Sequence, residues 1–285
     1  MNKQLITAIL LSVVLSATSC LKKIDPAPTK PIDTTRSNPT DTTKTPIDTT
    51  KTQPAVDSLK IGLIAHYAFN DNSTSNAIDS SGNGNTATAF NITLTTDRLG
   101  KPNAAYSFNG QSSFLVVKDN AALRLNNTDF TINSWVNLKQ FSFSSGSFVL
   151  SKRASGSANG WGSSVTGFAV NGTNIIGAPF FNVSGGTDPA AVGVSSVKLN
   201  NWYMLTTVYS VQKHQIRLYI NGILNSTTDN IPTPNALTAA NMYIGSDNPD
   251  TGSDGYYFNG GLDDIRLYSR ALNVSDIQKL YSYAK

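Results

Sequence analysis

The chain contains no glutamate: all 18 acidic residues are aspartate. Glycoside hydrolysis of the retaining kind needs two carboxyl groups about 5 Å apart, one with a raised pKa. The neighbouring Asp263 and Asp264 are expected to point to opposite faces of a strand and so not to form such a pair. Histidine is scarce as well. His66 and His214 make no metal-binding cluster, and neither lies near a Gly-x-Ser-x-Gly nucleophile elbow. The one cysteine, Cys20, excludes an internal disulfide. A basic cluster is also missing, because the net charge of +4 is spread thinly, which argues against nucleic acid as a partner. The chain is therefore not expected to be an enzyme.

Long apolar runs are absent too. Leu5 to Leu15 is shorter than the roughly 20 residues a membrane-crossing helix requires. With Lys3 before it and Ala17-Thr18-Ser19 after it, residues 1–20 read as an export signal. The small residues ahead of Cys20 resemble a lipobox with Ala17 in place of the usual leucine, which implies lipidation of Cys20 and attachment to a bacterial outer membrane or cell surface. An ordinary signal peptide cleaved near Ser19 is the other reading. Residues 21–57 then turn to Pro, Thr, Asp and Lys, with Pro-Ile-Asp-Thr-Thr at 31–35 and again at 46–50. Such a segment buries too little apolar surface to offset its ordering entropy and should be an extended tether. Its Asp-Thr-Thr triplets resemble the sequon of Bacteroidota O-glycosylation; a tether without sugars is the alternative.

What is present in abundance is Asn, Ser, Thr and Gly, in short runs of strand character between turns. Leu63–Phe69, Phe130–Val136, Tyr203–Tyr209 and Gly261–Tyr268 are such runs. Tyr106–Phe108 and Ser113–Val117 flank Asn109-Gly110 and read as a hairpin; Arg217 to Asn225 reads as strand, Asn221-Gly222 turn, strand. Only the C-terminus looks helical, with Ser275 expected to cap a turn reaching Tyr281. About a dozen short strands with frequent turns predict an all-β, two-sheet antiparallel sandwich with a short C-terminal helix over residues 58–285. Within residues 58–285 there is no internal repeat and no sign of a second domain.

Several motifs stand in a recognisable order. Gly62-Leu-Ile-Ala-His-Tyr-Ala-Phe-Asn70 and Asp79-Ser-Ser-Gly-Asn-Gly-Asn85 come first, then Tyr106-Ser-Phe-Asn-Gly110 and Phe130-Thr-Ile-Asn-Ser-Trp135. Leu218-Tyr-Ile-Asn-Gly222, Tyr243-Ile-Gly245 and Phe258-Asn-Gly-Gly-Leu-Asp-Asp-Ile-Arg-Leu-Tyr268 close the series. Across residues 61–283 the pattern resembles concanavalin A-like/laminin-G-like modules of bacterial surface proteins. The resemblance implies a jelly roll with a structural calcium ion at one edge. Hard cations take six to eight oxygens, and the resemblance points to Asp79, Asn85 and Asp263, with Asp71 and Asn83 as further candidates. The competing reading is a Gly/Asn turn in which Asp79 caps its own backbone. The same sandwich houses laminarinase-type glucanases, whose Glu-x-Asp-x-x-Glu strand this chain lacks.

Aromatic residues in polar loops are the expected ligand contacts. Trp161 in Ser155–Ser164, and Tyr256 and Tyr257 after Ser246–Gly255, fit that description; the alternative is that each folds back as a core plug. Phe180 and Phe181 stand in a third such loop. Trp135 and Trp202 are read as packing residues. Two functions follow: a non-catalytic surface module binding polysaccharide or glycoconjugate, or a structural sandwich that docks a partner protein. The membrane is reached only through the lipid anchor.

Overall fold

A computed structural model describes residues 57–142, 146–153, 160–167, 175–184, 190–234, 239–247, 249 and 256–283. The expectations at Cys20 and across the tether lie outside these residues. A compact unit runs from Pro54 to Lys285, and sixteen strands are described within it. They are β1 (Leu63–Tyr67), β2 (Asn76–Ala77), β3 (Ala87–Phe90), β4 (Thr93–Thr95), β5 (Ala105–Asn109), β6 (Phe114–Val117), β7 (Phe130–Leu138) and β8 (Ser147–Arg153). There follow β9 (Gly160–Val165), β10 (Pro179–Ser184), β11 (Ala190–Val192), β12 (Tyr203–Ser210), β13 (Gln215–Ile220), β14 (Ile223–Thr228), β15 (Met242–Ile244) and β16 (Asn259–Tyr268). A helix, α1 (Val274–Ser282), and two 3-10 turns, η1 (Ser58–Lys60) and η2 (Ala121–Arg124), complete the frame.

The strands form two antiparallel sheets. The first runs β14-β13-β12-β7-β16-β5-β4, with β1 also on β16; the second runs β11-β10-β9-β8-β15-β6-β3-β2. β16 is long enough to serve β5 with its first half and β1 with its second. Alternation along β7 shows how the sequence builds the layers. Phe130, Ile132, Val136 and Leu138 enter the core between the sheets, where Leu115, Leu150 and Phe181 of the second sheet also lie. Trp135 points the other way, into a second apolar cluster in which Leu59 of η1 and Ile277 and Leu280 of α1 cover the outer face of the first sheet.

The Asn221-Gly222 hairpin is present as expected, joining β13 to β14 with positive φ at both turn residues (52° and 78°). The hairpin expected at Asn109-Gly110 is not formed. β5 belongs to the first sheet and β6 to the second, so the turn carries the chain across the sandwich. The Asn109 side-chain oxygen accepts the backbone N–H of Gln111, Ser112 and Ser113, and both edges of β5 are taken by β4 and β16. A second correction concerns α1, whose N-cap is Asn273, accepting from Asp276 N at 2.8 Å, rather than Ser275.

Candidate functional site

On the outer face of the second sheet the register aligns side chains into rows. Asn182, Gly162, Ser151, Tyr243, Val116, Thr88 and Asn76 are successive cross-strand partners, and residues directly opposite share a face. Beside this row, Phe114 and Phe90 are paired, with rings 4.9 Å apart and stacked. Phe90 is 43% exposed. Phe108, Phe130, Phe148 and Phe181 of the strands are buried by contrast, while Phe114 is half-buried beside Phe90.

The open end of this face is a cleft of 340 Å³. Thr88, Phe90 and Val116 form its floor, and Asn85, Asn120, Asn241 and Lys118 stand around it. The wall is held by a chain of hydrogen bonds. Asn241 Oδ1 accepts from Asp119 N at 3.1 Å, and Asn120 Nδ2 donates to Asn85 Oδ1 at 3.0 Å. Asp119 is gripped by Arg124, at 2.5 Å, and by Lys152 Nζ, at 2.6 Å. Those hydrogen bonds, from Arg124 first, hold the Asp119 carboxyl down at about 2. Lys152 is wholly buried, and burial pushes its ammonium pKa down against the pull of Asp119. Asp119 is consequently a structural anion that fixes the wall and has no proton to give. Among the described residues the Asn241 amide nitrogen has no hydrogen-bond partner and, with Thr88 and Lys118, offers polar groups beside an aromatic platform.

Of the residues expected to hold calcium, Asp79, Asn83 and Asn85 share one turn, while Asp71 and Asp263 have other partners. Asp79 Oδ1 accepts from His66 N and Ser81 N, both at 2.9 Å, and Oδ2 from Asn85 N at 3.0 Å. Burial pushes the Asp79 carboxyl up, but the hydrogen bonds from Ser81, His66 and Asn85 outweigh it and hold it below its ordinary value. Asn83 and Asn85 both donate their amide hydrogens to Ile64 O. Asp71 is exposed and accepts from Ser73 N, while Asp263 faces Arg98. Among the described residues no three acidic or histidine side chains are grouped to hold a metal. Both Asp79 oxygens are already engaged by backbone N–H donors, which matches the self-capped turn.

The aromatic expectations are corrected in part. Trp161 lies on β9, not in a loop, and is 0% exposed. Its Nε1 donates to Leu123 O at 3.0 Å and its ring stacks on Phe181, so it plugs the core and is no platform. Phe181 is buried with it, on β10. Tyr256 and Tyr257 are half-buried on the outer face of the second sheet, their rings 6.0 Å from Phe148 and 6.3 Å from Phe114. Tyr257 thereby extends the ridge that begins at Phe90. Sequence reasoning missed Phe90, Asn120 and Asn241; the alternation Thr86-Ala-Thr-Ala-Phe90 was the signal available for the first.

The alternation expected to separate Asp263 from Asp264 also fails. Asp264 sits at φ 43° in a bulge where β16 shifts register against β7. Both carboxylates then meet Arg98, and Asp264 also accepts from His66 Nε2 and Arg266 Nε, each at 2.8 Å. Neither carboxylate lines the cleft.

A family model described as the concanavalin A-like lectin/glucanases superfamily matches residues 109–278. Among solved structures, the chain is similar to domain 4 of AbnA, a GH43 extracellular arabinanase from Geobacillus stearothermophilus, in complex with arabinotriose. The identity is 24%, over 77% of this chain and 98% of that one, with a TM-score of 0.57. It is also similar to the binding domain of Paraclostridial Mosquitocidal Protein 1, at 19% identity over 79% and 53% of the two chains, TM-score 0.59. A third likeness is to the receptor binding domain of botulinum neurotoxin C/D mosaic serotype, at 14% identity over 78% and 51%, TM-score 0.59. The chain thus spans about half of the toxin chains it resembles, and at these identities the likeness is one of fold. No curated protein matches.

Proposed function

The chain belongs to the concanavalin A-like lectin/glucanases superfamily, and on that premise we propose that it is a non-catalytic carbohydrate-binding module. The observation that carries this reading is the cleft on the second sheet, where the exposed Phe90 ring lies beside the amide nitrogen of Asn241, which meets no described acceptor. A sugar presents just these two surfaces, an apolar ring face and a rim of hydroxyls. The likeness to an arabinanase domain solved with arabinotriose supports the same reading. Among the described lining residues the one carboxylate, Asp119, is held ionised by Arg124 and Lys152 and so does not supply the proton donor that glycoside hydrolysis needs. The setting we infer is an exported module, lipidated at Cys20 and carried on the Pro/Thr-rich segment before Asp57.

A glycan array on the full chain tests the proposal. Binding to a defined glycan class, reduced at least roughly tenfold by Phe90→Ala and by Asn241→Ala, is the expected result. Absence of binding, or binding indifferent to both substitutions, overturns it. A protein-docking role is favoured by one observation, the groove of 420 Å³ beside exposed Ile223, Leu224 and Val194 at the β14 edge. On that reading the variants Ile223→Asp and Leu224→Asp lose a partner while glycan binding is untouched.

A further inference from the structure

The outer face of the first sheet is only half covered. η1 and α1 seal the part around Trp135, Met204 and Tyr268. Over β5, β16 and β7 the face remains open, and Ser107, Gly261 and Asn137 form one cross-strand row there. At the end of this row Trp202, half-buried, lies down on Gly261. A Cβ on Gly261 would sit 2.9 Å from Trp202 Cη2 and 3.1 Å from Cζ2, closer than carbon atoms tolerate, so only glycine admits the indole in this position. The result is a pocket of 110 Å³ lined by Trp202, Asn137, Asn200, Ser107, Lys139 and the threonines 95 and 96.

The polar side chains of this pocket differ from those of the cleft on the other sheet. There the amides are mostly spent on one another. Here the carboxamides of Asn137 and Asn200, the hydroxyls and the Lys139 ammonium make no side-chain hydrogen bond or ion pair with any described group. Asn200 is nevertheless held in place, since its backbone sits at φ 60° and its N–H donates to Leu138 O at 2.7 Å. Lys139 is anchored through its own N–H to Asn259 O. Among the described residues no carboxylate lines the pocket. The nearest in sequence, Asp97, accepts from Leu99 N at 2.8 Å and Lys101 N at 2.7 Å and is spent within its own loop. Unpaired hydrogen-bonding groups gathered around a fixed aromatic plate, with one cation and no anion, describe a ligand with an apolar face, several hydroxyls and a negative charge.

We propose that this pocket is a second glycan site, on the face opposite the cleft, and that it takes a single terminal sugar bearing a carboxylate. The sugar ring stacks on Trp202, its hydroxyls meet Asn137 and Asn200, and its carboxylate meets Lys139. The volume suits one ring and excludes a chain lying lengthwise. This inference does not depend on the cleft.

The test is calorimetric titration of the full chain with methyl glucuronide and methyl glucoside, repeated in Phe90→Ala, which removes the platform of the cleft. In that background the glucuronide should still bind, and the glucoside should bind about tenfold more weakly, the worth of one charge-assisted hydrogen bond. Lys139→Gln, on an exposed side chain, should bring the glucuronide down to the glucoside level without changing the melting temperature. Trp202→Ala should abolish both. The proposal is overturned if the Phe90→Ala chain ignores the glucuronide, if the two sugars bind alike, or if Lys139→Gln changes nothing. Loss of binding on the Phe90→Ala substitution alone assigns the glucuronide to the cleft and leaves this pocket without a ligand.

Discussion

Asp263 and Asp264, consecutive in sequence, turn their carboxylates to the same guanidinium, that of Arg98. The bulge at Asp264 makes this convergence possible. The two groups are driven apart in acidity. Burial raises Asp263 to about 6 in spite of Arg98, with the Asp264 charge adding to the rise. Asp264 is buried too, but His66, Arg266 and Arg98 together hold it well below the ordinary carboxylate range.

The pH dependence of stability follows from these signs. Asp263 has a folded pKa above its unfolded value of about 4, so its contribution is complete below that value and is lost as the pH rises through 6. Asp264, Asp119, Asp79 and Asp276 are shifted downward, so theirs is present above about 4 and lost as the pH falls. Thermal melts should show a maximum near pH 5 with a decline on both sides. Asp263→Asn should remove the decline between pH 5 and 7 and keep the acid limb. A wild-type melting temperature flat from pH 5 to 7 contradicts the raised Asp263.

Trp161→Ala should cost about 3–5 kcal/mol, the range for removing a large buried aromatic. At this chain length that is a fall of roughly 10 °C in melting temperature. Because Trp161 touches Leu123 and Phe181 rather than solvent, glycan affinity per folded molecule should be unchanged. A variant that melts like the parent yet loses its glycan would return Trp161 to the binding surface.

Asp79→Ala leaves three backbone N–H groups without their acceptor, an expected loss of about 1–3 kcal/mol in a denaturant titration. Since hydrogen bonds already occupy these oxygens, calcium or a chelator should leave the melting temperature in place. A rise of several degrees on adding calcium would restore the ion to this loop.

Leu280→Ala on α1 should destabilise by about 2–5 kcal/mol, because Leu280 closes the cluster over Trp135 and Met204. The ring of Trp135 stacks on Tyr281, 5.8 Å away, so a red-shifted tryptophan emission should accompany the loss. An unshifted spectrum with unchanged stability would mean that the helix is dispensable.

Local rules read the sandwich well where one turn decides the outcome. Asn221-Gly222 dictates its hairpin because both residues tolerate positive φ, and the alternation of Phe130 to Val136 gives β7 its two faces. The same rules fail where the partner is distant. Asn109-Gly110 has hairpin chemistry, but the edges of β5 are claimed by β4 and β16, so β6 pairs elsewhere. Trp161 follows a run of Ser, Gly and Asn that reads as a loop, and only the space between the sheets explains its burial. For the site, Tyr257 is expected as a ligand contact and lies on the outer face of the second sheet, and Asn85, expected as a metal ligand, lines the cleft, whereas Phe90, Asn120 and Asn241 come from three separate segments that only the sheet order assembles.

The pairing of β1 with β16 also sets how the domain answers a pulling force. The strands are antiparallel, with Leu63 opposite Tyr268, so a load between the two ends of the fold enters at one end of the ladder. It strains the bonds one after another, as in opening a zipper, instead of shearing them together. Arg270 reinforces that entry point by donating to Ile61 O and Ser58 O while holding Asp276. Its removal should lower the force at which the first strand peels away far more than it lowers the heat resistance of the sandwich behind it.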